Sequence, residues 1–287
     1  MRGGDMQVSE LAIHPLKSGH RLRVDSIALD AQGPVHDRRW MLVDASGRFV
    51  TQRTHPALCR VTALPEGDGL RLSAPGMPVL ALAAPLSETL TVEVWGDRVR
   101  AQAMGPAADA WCSEFLGMPV RLVAMPASSR RAVDAAWAGP GHLTAFSDGF
   151  PLLVVTQSSL DHLNRQLAVP VDWDRFRPNV VIAGDLPPHA EDGWRRIRIG
   201  EGAEAVELEL VKPCSRCVIP SIDPATAAKD GQILTVLQRY RRFADGRSYL
   251  GQNAVVASAG AQGLLRRGAP VRVIELAEKP AMPSAVL

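Results

Sequence analysis

Cysteine is scarce in this 287-residue chain. Cys59, Cys112, Cys214 and Cys217 are too few and too scattered for a disulfide framework, which predicts reduced thiols. Lysine is equally rare: apart from Lys17, Lys212, Lys229 and Lys279, all of the 32 basic residues are arginines. Where arginine is the default, lysine at Lys17 and Lys212 suggests a need for a compact point charge. No apolar run nears the ~20 residues that cross a bilayer. The opening Met1 to Met6 lacks the apolar core of a secretion signal. Neither charge sign dominates, and a net charge of +2 argues against a dedicated binder of nucleic-acid polymers. Internal repeats are missing too, which excludes a solenoid. The expectation is a soluble, cytoplasmic protein with no membrane partner.

What is present reads as short strands and turns. At 46% hydrophobic, the chain can bury one large core or two closely packed ones. Val8–Ile13, Trp40–Asp44, Phe49–Thr51, Leu70–Leu72 and Leu90–Trp95 have strand character, with a hairpin turn at Ala45–Arg48. Further strands are expected at Leu152–Val155, Val180–Ile182, Val206–Val211, Ala254–Ala257 and Val271–Ile274. Pro106–Leu116 reads as a helix closed by Gly117. Ser158–Leu167 reads as a second, with a capping box from Ser158 and Asp161, and Gln232–Phe243 as a third. The fold class expected is mainly β (α+β), a barrel or sandwich with peripheral helices. Residues 126–141, rich in Ala, Gly, Arg and Ser, read as a linker or mobile loop between β-rich regions at 1–125 and 142–287.

The densest chemistry lies in Lys212-Pro213-Cys214-Ser215-Arg216-Cys217, at the end of the Val206–Val211 alternation. A structural zinc site needs four ligands, and no second pair or histidine pair accompanies these two thiols. A thioredoxin-like pair needs a helix N-terminus, which Pro220 and Pro224 obstruct. Inert buried cysteines are the bland alternative. Against it stand Lys212 and Arg216, cations that favour a thiolate.

The same run resembles the cofactor-binding motif of MOSC-domain proteins, relatives of the C-terminal domain of molybdenum-cofactor sulfurase. The subgroup it resembles most contains the mitochondrial amidoxime-reducing components and their bacterial relatives. Five other segments match that subgroup in order: His14–Ser18, Asp37–Trp40, Phe146–Pro151, Phe176–Asn179 and Gly251–Asn253. The resemblance implies a MOSC β-barrel packed against an N-terminal MOSC β-rich region. It also implies a molybdenum-molybdopterin cofactor with a single pterin dithiolene, Cys217 being the protein's metal ligand. A thiolate suits such a soft, redox-active centre.

By the same resemblance Lys17, Arg38, Arg177 and Arg216 contact the cofactor, its phosphate being a natural partner for such cations. Ser18, Asp148, Gly149, Phe150, Asn179, Ser215 and Asn253 match positions near the pterin. Read without it, Arg177 is a surface cation, Asn179 a strand start and Asp148-Gly149 a turn. His14 reads as a structural residue at a strand end. Asp223 is a candidate proton donor or loop-fixing group, with an Asp-Pro turn as its plain reading. The threonine-rich run common after the ligand cysteine is replaced here by Pro220-Ser221-Ile222.

The activity implied is a detoxifying reduction of N-hydroxylated small molecules: hydroxylamines, amidoximes and free N-hydroxylated nucleobases. No cysteine follows Cys217, so the expected electron source is a separate iron–sulfur, flavin or haem protein. Molybdenum-cofactor insertion machinery is the other implied partner. A pyridoxal-phosphate association belongs to the wider fold family rather than to this motif. A cofactor carrier or sulfur-transfer module with the same fold is the alternative.

Overall fold

The computed structural model describes residues 6–260 and 262–278. Its largest element is an eight-stranded sheet. In spatial order the strands are Val271–Leu276, Trp194–Ile199, Val206–Ser215, Tyr249–Ser258, Leu152–Thr156, Val180–Ala183, Gln7–Ile13 and Leu22–Val24. All neighbours are antiparallel except Leu152–Thr156 with Val180–Ala183. The unbroken apolar run of Leu152–Thr156 is explained by burial on both faces. Leu152 and Val154 face a core with Val8, Leu11, Val180, Ile197 and Leu208. Leu153 and Val155 face a second core with Trp173, Phe176 and the inner sides of two helices, Gln157–Asn164 and Gln232–Tyr240. The sheet-rich architecture with few helices agrees with the expected class.

A four-stranded sheet (Trp40–Val43, Arg121–Ala124, Asp97–Ala103, Thr89–Val94) and a three-stranded one (Thr62–Glu66, Gly69–Ser73, Leu80–Leu82) form the other half. The two halves share strands. Gln7–Ile13 pairs with Val180–Ala183, and Ser26–Asp30 pairs with Leu264–Arg266. Between the halves, residues 126–141 lie against the protein. Arg131 and Val133 are buried, Ala132 bridges Leu143, and a helical turn at Ala135–Ala138 starts on Asp134.

Several local readings shift. Helix Pro106–Leu116 starts on a proline at its first turn and ends on Gly117 in the left-handed region, as its residues predict. The second helix begins one residue early, with Thr156 as N-cap. Ser158 and Asp161 therefore fall inside it and form no capping box. It ends at Asn164, whose amide instead pairs with the backbone of Val171. The third stops at Tyr240, because Arg242 bridges back to Ser248. Phe49–Thr51 is not a named strand: Phe49 bridges Val43 and donates to Glu93 O, and Val50 donates to Leu42 O.

Glu191 is fully buried beneath that second helix, accepting from Thr156 Oγ1 at 2.6 Å and Ser159 Oγ at 3.0 Å. Burial pushes its carboxyl from 4.5 up to about 7. The folded state thus keeps a proton that the unfolded chain releases. This contribution to stability is complete below about pH 4.5 and is lost as pH rises towards 7, about 3 kcal/mol in all. Glu191→Gln is expected to flatten that slope, and urea midpoints between about pH 5 and about pH 8 check it. An unchanged slope would place the titrating group elsewhere.

Candidate functional site

The strand Val206–Ser215 runs four residues past its expected end. Irregularities in its pairing with Tyr249–Ser258 fall between Leu210 and Lys212 and between Pro213 and Ser215. They admit a proline that cannot donate to the ladder. Cys214 and Ser215 thus end a strand, while Arg216 and Cys217 leave it at the rim of a cleft of about 760 Å³, part of it open to solvent. Gly251 (φ +80°) on the partner strand allows the close approach: a Cβ there would lie 2.6 Å from Val155 Cγ1. Asn253, two residues on, reaches the cleft and donates from Nδ2 to Lys212 O at 3.2 Å.

The two cysteines differ in setting. Cys217 is exposed. Cys214 is half-buried against the core of Trp173 and Phe176, and Arg216 Nη1 lies 3.1 Å from its sulfur. No helix starts at Cys214; a 3₁₀ turn, Ile219–Ser221, follows Cys217. Among the described residues no group of three or more His, Cys, Asp or Glu could hold a metal. A metal here would rest on one thiolate and on donors of its own cofactor.

Three side chains of the cleft stand on left-handed backbone without being glycine: Ser18 (φ 67°), Arg38 (φ 47°) and Arg177 (φ 60°). Such residues cost about 1–3 kcal/mol each and persist only where surroundings over-determine them. Here Arg38 N donates to His14 O, Arg38 O accepts from Phe146 N, and Arg177 N donates to Trp173 O. Asp37, buried behind them, accepts from His14 N at 2.7 Å and from Arg38 Nη1. His14 faces Asp37 with no exposure, its imidazole held well below the usual histidine range by burial. It is structural, as expected. The Asn179 amide is consumed by protein: Nδ2 donates to Ala12 O, and Oδ1 accepts from Leu153 N and Arg38 Nη1. It holds Arg38 and the Gln7–Ile13 strand in place.

The opposite wall is built on Asp148. Lys17 Nζ, buried, donates to Phe146 O at 2.7 Å and to Asp148 Oδ1 at 2.6 Å. Burial brings the Lys17 ammonium down to about 8, although Asp148 pulls it up. The cleft walls partly desolvate Asp148. Ion pairs with Lys17 and Arg53, and donation from Trp95 Nε1, outweigh that and hold its carboxyl well below the carboxylate range. Arg53 lines the same cleft as Cys217: its guanidinium reaches Asp148 Oδ2 at 2.7 Å and stacks 4.8 Å from the Trp95 ring. Lys212 instead lies over Trp137 and Phe150. Sequence reading missed Arg53, Gln52 and Trp95; the polar run Thr51-Gln52-Arg53 after an apolar segment was the available signal.

Of the expected site residues, Lys17, Ser18, Arg38, Asp148, Gly149, Phe150, Arg177, Asn179, Ser215, Arg216, Cys217 and Asn253 all line this cleft. Asp223 does not. Its carboxylate is raised by partial burial, but backbone N–H groups of Thr226 and Ala225 and the Arg175 guanidinium at 2.8 Å outweigh that and keep it low. It ties a loop and is poorly suited to donating a proton.

The cleft is short of negative charge. Arg177 Nη2, Arg216 Nε and Gln52 Nε2 are buried without a partner. Burial and the nearby Arg38 push the Arg177 guanidinium down to about 9. Unmet donors of this kind fit a polar, anionic ligand such as a phosphorylated pterin.

Comparison with known proteins gives the family. Residues 5–119 match the MOSC N-terminal beta barrel domain, and residues 142–272 match the MOSC domain. Mitochondrial amidoxime-reducing component 1 of Mus musculus is 34% identical over 247 residues, covering 82% of this chain and 71% of that protein. Its Homo sapiens counterpart is 33% identical, with 82% and 72% covered. Molybdenum cofactor sulfurase of Oryza sativa subsp. japonica is 30% identical, over 83% of this chain but 31% of its own. The solved YUAD protein of Bacillus subtilis aligns over 93% of both chains at 10% identity, but its TM-score of 0.39 carries no weight. Two ordered domain matches covering most of the sequence make this chain a member of the MOSC-domain family.

Proposed function

We propose that the chain is a molybdenum-cofactor oxidoreductase that reduces N-hydroxylated small molecules to amines, using electrons from a separate iron–sulfur, flavin or haem protein. The observation that carries this reading is the pairing of one exposed thiol, Cys217, with unpartnered buried donors on Arg177 and Arg216. Relatives named amidoxime-reducing components supply the reaction class.

When bound, the cofactor would supply redox-active molybdenum chemistry suited to reducing an N–O bond. The overall change consumes two electrons and two protons and yields the amine and water. Cys217 gives the metal its protein thiolate. Arg177 Nη2 and Arg216 Nε are free to meet phosphate or pterin acceptors, and Lys17 and Arg38 add positive charge at fixed positions. Ser18, Ser215, Asn253, Gly149 and Phe150 also line the cleft. Arg53 lines the cleft with Cys217, held by Asp148 and the Trp95 ring. Asp223 keeps the loop after Cys217 in place through Arg175. Four free thiols suit a reducing, cytoplasmic setting. No helix of the described residues is long and apolar enough to cross a membrane.

The relative named a sulfurase favours one second reading, a carrier that holds the cofactor without turnover. Cofactor-loaded protein given a chemical reductant and benzamidoxime separates the two. Steady formation of benzamidine supports the reductase. Intact cofactor passing to an acceptor apoprotein, with no amidine formed, supports the carrier and ends the reductase reading.

A further inference from the structure

Arg131 is 6% exposed, lies outside the cleft lining, and belongs to the segment that sequence composition marks as a linker. Its guanidinium is nonetheless spent on the cleft's supports. Nη1 donates to Ala145 O at 2.9 Å and to Ser147 O, Nη2 to Asp148 O at 3.2 Å, and Nε to Asp97 Oδ2 at 2.8 Å. Three carbonyls from one short loop converge on this cation. Carbonyl oxygens aimed at one point repel each other, so the loop keeps this shape only around a donor-rich group. A planar fork can span three carbonyls and a carboxylate together, which a lysine ammonium cannot.

Both ends of the clamp lead to Asp148. The carbonyl side is the loop that offers Lys17 its two acceptors, Phe146 O and Asp148 Oδ1. The carboxylate side, Asp97, follows the hairpin turn at Trp95 (φ 53°) and Gly96 (φ 91°). That turn aims Trp95 Nε1 at Asp148 Oδ1, 3.1 Å away. One buried arginine thus fixes the loop that carries Asp148 and the hairpin that caps it. We infer that Arg131 is a positioning residue for the Lys17–Asp148–Arg53 network beside Cys217. Its bearing on cofactor binding rests on the cleft being the cofactor site. A merely structural Arg131 would hold the segment to the fold without setting the state of Lys17.

Lysine is rare enough to make the test direct. Full-length, metal-free protein grown with ¹³Cε-lysine has four labelled side chains, and Lys17→Arg assigns the Lys17 signal. In Arg131→Gln, the Lys17 resonance is expected to move while those of Lys212 and Lys229 stay in place. Asp97→Asn, which removes only the hairpin end of the clamp, is expected to move it less. In protein loaded with the cofactor, Arg131→Gln should weaken retention about tenfold or more, the usual scale for groups that orient direct ligands. A folded Arg131→Gln protein with the wild-type Lys17 signal overturns the inference. If that variant does not fold, an unmoved Lys17 signal in both Arg131→Lys and Asp97→Asn overturns it equally. Wild-type protein that takes up no molybdenum cofactor, while Arg131→Gln still displaces the Lys17 signal, would sink the functional proposal and leave the positioning role standing.

Discussion

Cys217→Ala is expected to abolish molybdenum retention and N-hydroxy reduction, while Cys214→Ala keeps most of both. The asymmetry follows from where the strand Val206–Ser215 ends. Cys214 is still within the ladder, half-buried and already in contact with Arg216, whereas Cys217 has left it and is exposed beside Arg53. Losing a group that only orients a metal ligand costs about 10–100-fold in affinity. Losing Cys217, the proposed protein ligand, should cost at least the upper end of that range. Cys214→Ala removes a partner of Arg216, whose Nη2 still donates to Phe176 O at 2.9 Å, so that side chain stays in place. Metal analysis and pterin fluorescence on both variants give the readout. Equal damage in both would instead favour a metal-free dithiol, in which each sulfur is needed.

Asn179→Ala is expected to cost about 2–4 kcal/mol of stability and to loosen the cofactor as well. The Asn179 amide joins three separate pieces of chain: the strand Gln7–Ile13 through Ala12 O, the strand Leu152–Thr156 through Leu153 N, and Arg38. The residue is 1% exposed, so no water takes over when the amide is gone. Each buried backbone group left unpaired costs about 1–3 kcal/mol, against a total stability of about 5–15 kcal/mol. Arg38, freed from Oδ1, would lose part of what holds its left-handed backbone. A urea midpoint series gives the first effect and pterin content the second. A loss below about 0.5 kcal/mol, the scale of an ordinary surface substitution, would mean the amide is dispensable.

How much of this was legible in the sequence depended on the range of the interaction. Alternation in Val206–Leu210 and the apolar run Leu152–Val155 marked strands, because burial on one or two faces is written into neighbouring residues. Gly117 marked a helix end for the same local reason. The cleft residues were found through motif resemblance, since no local pattern says that residues 17, 38, 148, 177 and 217 converge. Arg53 and Trp95 escaped because their value lies in contacts with Asp148, far off in sequence. Lys212, read as a cation that favours a thiolate, lies elsewhere for a related reason. On a strand, alternate residues point to opposite faces, and Lys212 is turned towards Trp137. Asn179 lines the cleft, and its bonds to Ala12, Leu153 and Arg38 join chain segments that sequence alone could not bring beside it.

The sharing of strands between halves has a bearing on how this chain is made and divided. Ser9 and Val181, bonded across adjacent strands, are 172 residues apart, so the first strand synthesised waits for most of the chain before it can dock. Until then Val180–Ala183 would present an open apolar edge, the kind of surface that recruits stray strands. A fragment cut in the segment around Arg131 would carry that raw edge permanently. The two domain matches are therefore evolutionary units without being separable physical ones. Grafting the second half onto another protein would require bringing Gln7–Ile13 with it.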